Sequence, residues 1–133
     1  MVNLFLFPKM TTRTPKLVTK DSLRNLLQCG SHEKLIHIVG RALVVLYNNQ
    51  EADEQVMKSV AHNNGIGFTR GDAAKGTEHA KFYLENKTLS LTQLRHWIRA
   101  EGYYPYLCKY DRQLNDAAVT KQSAKILNDL EKL

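Results

Sequence analysis

From Asp21 onward, apolar residues return every three or four positions almost to the end of the chain. One face of an α-helix satisfies that period, and a strand, which repeats every two residues, cannot. An all-α chain follows, and the punctuation between the periodic stretches divides it. Asp21 caps a short helix carrying Leu23, Leu26 and Leu27, which Gly30 ends. Ser31 starts a longer helix through Leu35, Ile36, Val39, Leu43, Leu46 and Tyr47, with Gly40 marking a close crossing by another helix. "EADEQVMKSVAH" reads as a third helix, acidic in its first turn, with Val56, Met57 and Val60 inward. Asp72 caps a fourth, "AAKGTEHAKFYLEN". Ser90 and Gln93 form a capping box that opens a fifth, running to about Glu101 before Gly102. Pro105 opens a sixth over Leu107, Tyr110 and Leu114, and a last stretch from Thr120 carries Ile126, Leu127, Leu130 and Leu133. The expectation is a single compact helical domain of five to seven helices over residues 21–133. At 133 residues the chain can bury a core of its own.

Ahead of that domain, residues 1–20 hold Lys9, Arg13, Lys16 and Lys20, no acidic residue, two prolines and four threonines, which reads as an extended basic arm. Its first segment, "VNLFLF", is too short for a signal peptide or a membrane span, and Met10 offers an alternative start of translation. Two cysteines, Cys29 and Cys108, are too few for a disulfide scaffold, so a reducing, cytoplasmic setting and no membrane role are expected. The formal net charge of +6 biases encounters toward polyanions and excludes a DNA mimic, which would have to be acidic.

"HNNGIGFTRGDAAKG", from His62 to Gly76, concentrates four of the seven glycines and looks at first like a phosphate cradle. A dinucleotide fingerprint follows a strand, but here a helix precedes. A P-loop places Lys after its last glycine, but Lys75 comes before Gly76. Asp72 adds a negative charge where the anion would sit. The stretch therefore reads as a turn: Gly65 and Gly67 supply positive φ, Phe68 plugs the core and Asp72 caps the next helix, with Arg70 free to touch a phosphate backbone. No cofactor is expected. Cys29, His32 and His37 lack the second close ligand pair that zinc needs. An acid/base pair of Asp72 and His79, two turns apart, is the only catalytic combination in view, and capping and surface solvation explain both residues more simply.

The strongest functional signal lies further on. Leu91, Leu94, Trp97 and Ile98 share one side of the fifth helix, and Thr92, Arg95, His96 and Arg99 share the other, without an acid. Lys109 and Arg112 follow Tyr103, Tyr104 and Tyr106, an interleaving of cations with stackable rings that suits a nucleic-acid backbone. Lys9, Arg13, Lys16, Arg70, Arg95, Arg99, Lys109 and Arg112 are the expected phosphate contacts, with Trp97 and Tyr104 available for stacking. The partner would be DNA or RNA. A protein-binding adaptor or inhibitor of a host nucleic-acid-processing or defence complex is the competing class, with "VNLFLF" or the tyrosines as its apolar patch.

Several of these pieces occur in a fixed order: Gln50, Asp53, Glu54 and Gln55; Gly67 and Phe68; Asp72; Gly76; Leu89, Ser90 and Gln93; then Lys109, Tyr110, Gln113 and Leu114. In that order they resemble a small helical module of phage and plasmid proteins, also found flanking some bacterial Swi/Snf-type helicases. The likeness covers about residues 41–114. It implies a mobile-element origin and a neighbourhood of DNA transactions, and it brings no catalytic residue with it.

Overall fold

The computed structural model describes residues 15–57 and 66–131, with the side chains of 55–57 left aside. Five α-helices, one 3-10 helix and one small hairpin make up the described chain. These are α1 (Lys20–Cys29), α2 (His32–Met57), α3 (Ala73–Asn86), α4 (Leu91–Ile98), β1 (Ala100–Glu101), β2 (Tyr104–Pro105), a 3-10 helix (Tyr106–Tyr110) and α5 (Asp111–Glu131). The all-α architecture is as the apolar period requires. Among the described residues no helix is long and apolar enough to cross a membrane.

Several boundaries differ from those read off the sequence. Thr19, not Asp21, caps α1: its hydroxyl accepts from Ser22 N, and the Ser22 hydroxyl accepts from Thr19 N. Asp21 is instead engaged by Tyr104, whose hydroxyl donates to it at 2.8 Å. The second expected helix runs on into the third as one rod, described as far as Met57. Asn48, Asn49 and Gln50 could have broken it by bonding their own backbone, but Asn49 donates to Gln113 and Gln50 to Thr77, which leaves the helical ladder intact. The sixth and last helices also fuse, the 3-10 turn after Pro105 running straight into α5. Val60, His62, Gly65, Lys9 and Arg13 lie outside the described residues.

The expected fifth helix stops early, at Ile98, because the chain turns into the hairpin. Ala100 pairs with Pro105 and Glu101 with Tyr104. The two linking residues are Gly102 and Tyr103, with positive φ only at the glycine (71°). That is the II′ pattern, whose twist suits paired strands.

The core is built on α2. Val39, Leu43 and Leu46 are fully buried and meet Leu94 and Trp97 of α4 and Leu107 and Cys108 of the 3-10 helix within one cluster. The expected close crossing at Gly40 is with α3: a Cβ there would sit 2.2 Å from the Tyr83 ring. The Tyr83 hydroxyl meets His37 Nδ1 at 2.8 Å, which closes the same crossing with a polar contact. The end of the basic arm is pinned rather than loose. Leu17 and Val18 N–H donate to the Asn115 side chain, which donates back to Pro15 O at 2.9 Å.

Candidate nucleic-acid interface

The glycine-rich turn is held from both sides. Gln113 accepts from Gly67 N–H at 2.7 Å and donates to Gly67 O at 2.9 Å. Gly67 has φ 77°, and a Cβ on it would lie 2.6 Å from that of Gln50, so both its backbone and its space require glycine. Phe68 goes inward, edge-on to Tyr110 and tilted against Trp97, with its ring lying over Gly76. Thr69 N–H donates to the Tyr110 hydroxyl. The amides of Gly67 and Thr69 are thus consumed internally, and the turn is an anchor of the fold. Arg70, just beyond it, is exposed.

Asp72 corrects the sequence reading in an informative way. It stands before α3, yet its side chain makes no capping bond. It is buried, and it accepts from the Tyr106 hydroxyl at 2.6 Å, from the Tyr110 hydroxyl, and from Lys109 at 2.9 Å. Burial alone would raise the carboxyl pKa, but the bonds from Tyr106, Tyr110 and Lys109 outweigh it and hold Asp72 below its ordinary value. Conversely, burial and the bond to Asp72 push Tyr110 up to about 12. Lys109 is disfavoured by burial but raised by its contacts to Tyr106 and Asp72, so it stays charged.

Trp97 also departs from its expected role. It is 0% exposed and cannot stack on a base; its indole N–H donates to His79 Nδ1 at 2.9 Å. An indole only donates, so His79 must carry its proton on Nε2 and be neutral. His79 and Asp72 each make their bonds to other residues and form no acid/base pair with one another. Burial, with Glu78 opposing and Lys75 assisting, lowers the His79 pKa. His96, edge-on to Trp97, is lowered by burial, Arg99, Lys75 and His79, against a small opposing pull from Asp72. Its Nε2 is buried without a partner.

Both imidazoles have pKa values below 6.5, so the unfolded chain binds protons first. Stability is therefore full above about pH 6.5 and falls as pH drops through that value toward the folded pKa values. Trp97 is the only tryptophan and touches both rings. We expect its emission to change between pH 7.5 and 4.5 with a midpoint below 6.5, and in His79→Gln the transition should shrink. A flat fluorescence titration would refute the pairing.

Around this core the surface pairs cations with rings. Arg24 lies 4.0 Å from the Tyr103 ring centroid and donates to Tyr103 O, and Lys20 is 5.2 Å from the Tyr104 ring. Arg99 and Lys109 stand 4.0 and 4.2 Å from the Tyr106 ring. Arg99 also donates to His96 O, and Arg95 is exposed one turn before it on α4. Tyr103 is 66% exposed. A small cavity of about 120 Å³ lies among Lys20, Glu101, Tyr104, Pro105, Tyr106 and Lys109. Lys20 also borders a larger cleft of about 470 Å³ that takes in Lys16 and Arg112, together with Asp21, Asp111 and Asp116.

The fold thus joins Arg99, Lys109 and Tyr104 around the hairpin, with Arg95 one turn along α4. Lys16 and Arg112 sit in a cleft of mixed charge. Sequence reading placed Lys20 in the arm and missed Arg24; both reach the site because the unforeseen hairpin packs on α1, and the signal available was Gly102 between "AE" and "YYP". Among the described residues no group of three or more His, Cys, Asp or Glu is placed to hold a metal ion. Compared with protein-family models, curated proteins and solved structures, the chain has no match.

Proposed function

We propose that the protein is a non-enzymatic, phage-related accessory protein that binds nucleic acid mainly through phosphates. The observation that carries this reading is the run of cation–ring pairs around the hairpin. Arg24 with Tyr103, Lys20 with Tyr104, and Arg99 with Tyr106 gather charge for a backbone, Lys109 adds to it while paired with Asp72, and the exposed Tyr103 ring is available to a base. The positive net charge favours encounter with a polyanion, and the resemblance to the phage and plasmid module supports a setting among DNA transactions.

Binding of this kind is driven by counterion release. With four or five phosphates neutralised, log affinity should fall against log salt with a slope of roughly −4 on duplex and −3 on single strands. Fluorescence anisotropy with labelled single- and double-stranded oligonucleotides at several salt concentrations measures it. Absence of binding at low salt would end the reading.

A further inference from the structure

Two apolar surfaces have no partner among the described residues. The first is a groove of about 730 Å³ between α1, α2 and α5, floored by Leu26, Ile38, Val45 and Ala118. Its border carries Lys34, Arg41 and Lys121. The second is the far half of α5. From Thr120 to Glu131 every residue is exposed, and Ile126, Leu127 and Leu130 are 54%, 62% and 57% exposed. A helix that stands clear of its own domain with such a stripe calls for a covering surface.

We propose that two copies of this chain pair, each seating the α5 stripe of one copy in the groove of the other. The charges match. Asp129 and Glu131 flank Leu130 in sequence and so lie about 100° to either side of it on the helix. Lys121 and Lys125 lie about 180° and about 140° away from Leu130. In a chain of positive net charge, the apolar stripe is thereby edged by acids while the lysines of this half-helix face the other way. The groove presents the opposite sign along its border, with Lys34 and Arg41 two turns apart on α2.

The stripe cannot fill its own groove. Lys121, Leu114 and Ala118 line that groove from α5, and Leu130 is on the opposite side of the same continuous helix. A second copy has no such restriction. In a reciprocal exchange each copy lends its stripe to the groove of the other. The arrangement uses the same pair of surfaces twice and closes on itself.

Sedimentation equilibrium of the full chain tests this. We expect twice the 15.2 kDa chain mass at about 100 µM, where a contact with Kd near 10 µM is well populated. Leu127→Glu with Leu130→Glu should give a monomer, as should Lys34→Glu with Arg41→Glu. All four residues are exposed, so the fold and its circular dichroism should survive. Adding Asp129→Lys and Glu131→Lys to the Lys34, Arg41 variant should restore the dimer. A monomeric wild type, or a dimer that survives the tail changes, overturns the proposal. So does loss of the dimer through the tail changes but not the groove changes, which would mean that two tails pair with each other.

Discussion

Asp72→Ala is expected to cost about 3 kcal/mol, the largest loss from any single polar side chain in the described fold. The carboxylate receives three donors in a buried position, and two of those donors, the Tyr106 and Tyr110 hydroxyls, project from the 3-10 helix that also carries Leu107 and Cys108 into the core. Removing it leaves the buried Tyr110 hydroxyl only the Thr69 hydroxyl, at 3.3 Å, to donate to. The ion pair with Lys109 adds less, because the lysine is 36% exposed and water takes over part of its solvation. Urea unfolding followed through Trp97, or a Tm lowered by roughly 10 °C, would register the effect. The pH dependence has a definite sign. The folded pKa lies below the ordinary 3.8, so the Asp72 contribution is full above that value and is lost as pH falls through the lower folded value. Asp72→Asn, which keeps one acceptor, should lose about half as much and should lack this acid limb. If Asp72→Ala unfolds at the wild-type urea concentration, the carboxylate is not a structural anchor.

Asp72 also marks where sequence reasoning reaches and where it stops. Its place before α3 was legible, since an aspartate before "AAKG" suits a helix start. The use of its side chain was not, because Tyr106, Lys109 and Tyr110 come from a segment more than thirty residues away and no local pattern joins them. The same division holds elsewhere. The capping box of Ser90 and Gln93 is local and formed as read. Gly40 needed only the knowledge that a glycine on an apolar helix face invites a neighbour. The second and third expected helices were read as separate, and the structure runs them together through Asn49 and Gln50, whose side chains bond to Gln113 and Thr77. Trp97 fell on the apolar side of α4, and its burial follows from that placement more directly than a role in stacking did. The hairpin was hidden because two-residue strands carry too little periodicity to be seen, and with it was hidden the place of Lys20 and Arg24 beside it.

Those two residues give the second large effect. Neutralising Lys20, Arg24 and Arg95 together, each as a change to Gln, should weaken oligonucleotide binding by roughly 10²- to 10³-fold at 50 mM salt and should reduce the salt slope on duplex by about 2.7. None of the three sits in the core, and none belongs to the Asp72 cluster, so stability should change little. The slope matters more than the affinity. A loss of charge anywhere lowers the overall attraction to a polyanion, whereas the slope counts the phosphates actually neutralised. Lys81 and Lys125 provide the comparison: Lys81 lies over Tyr47 of α2, and Lys125 is exposed on the far half of α5. Their joint change to Gln should leave the slope within experimental error. If that pair lowers the slope as much per charge as the hairpin residues do, the protein attracts nucleic acid by net charge alone and the cation–ring face is not its binding site.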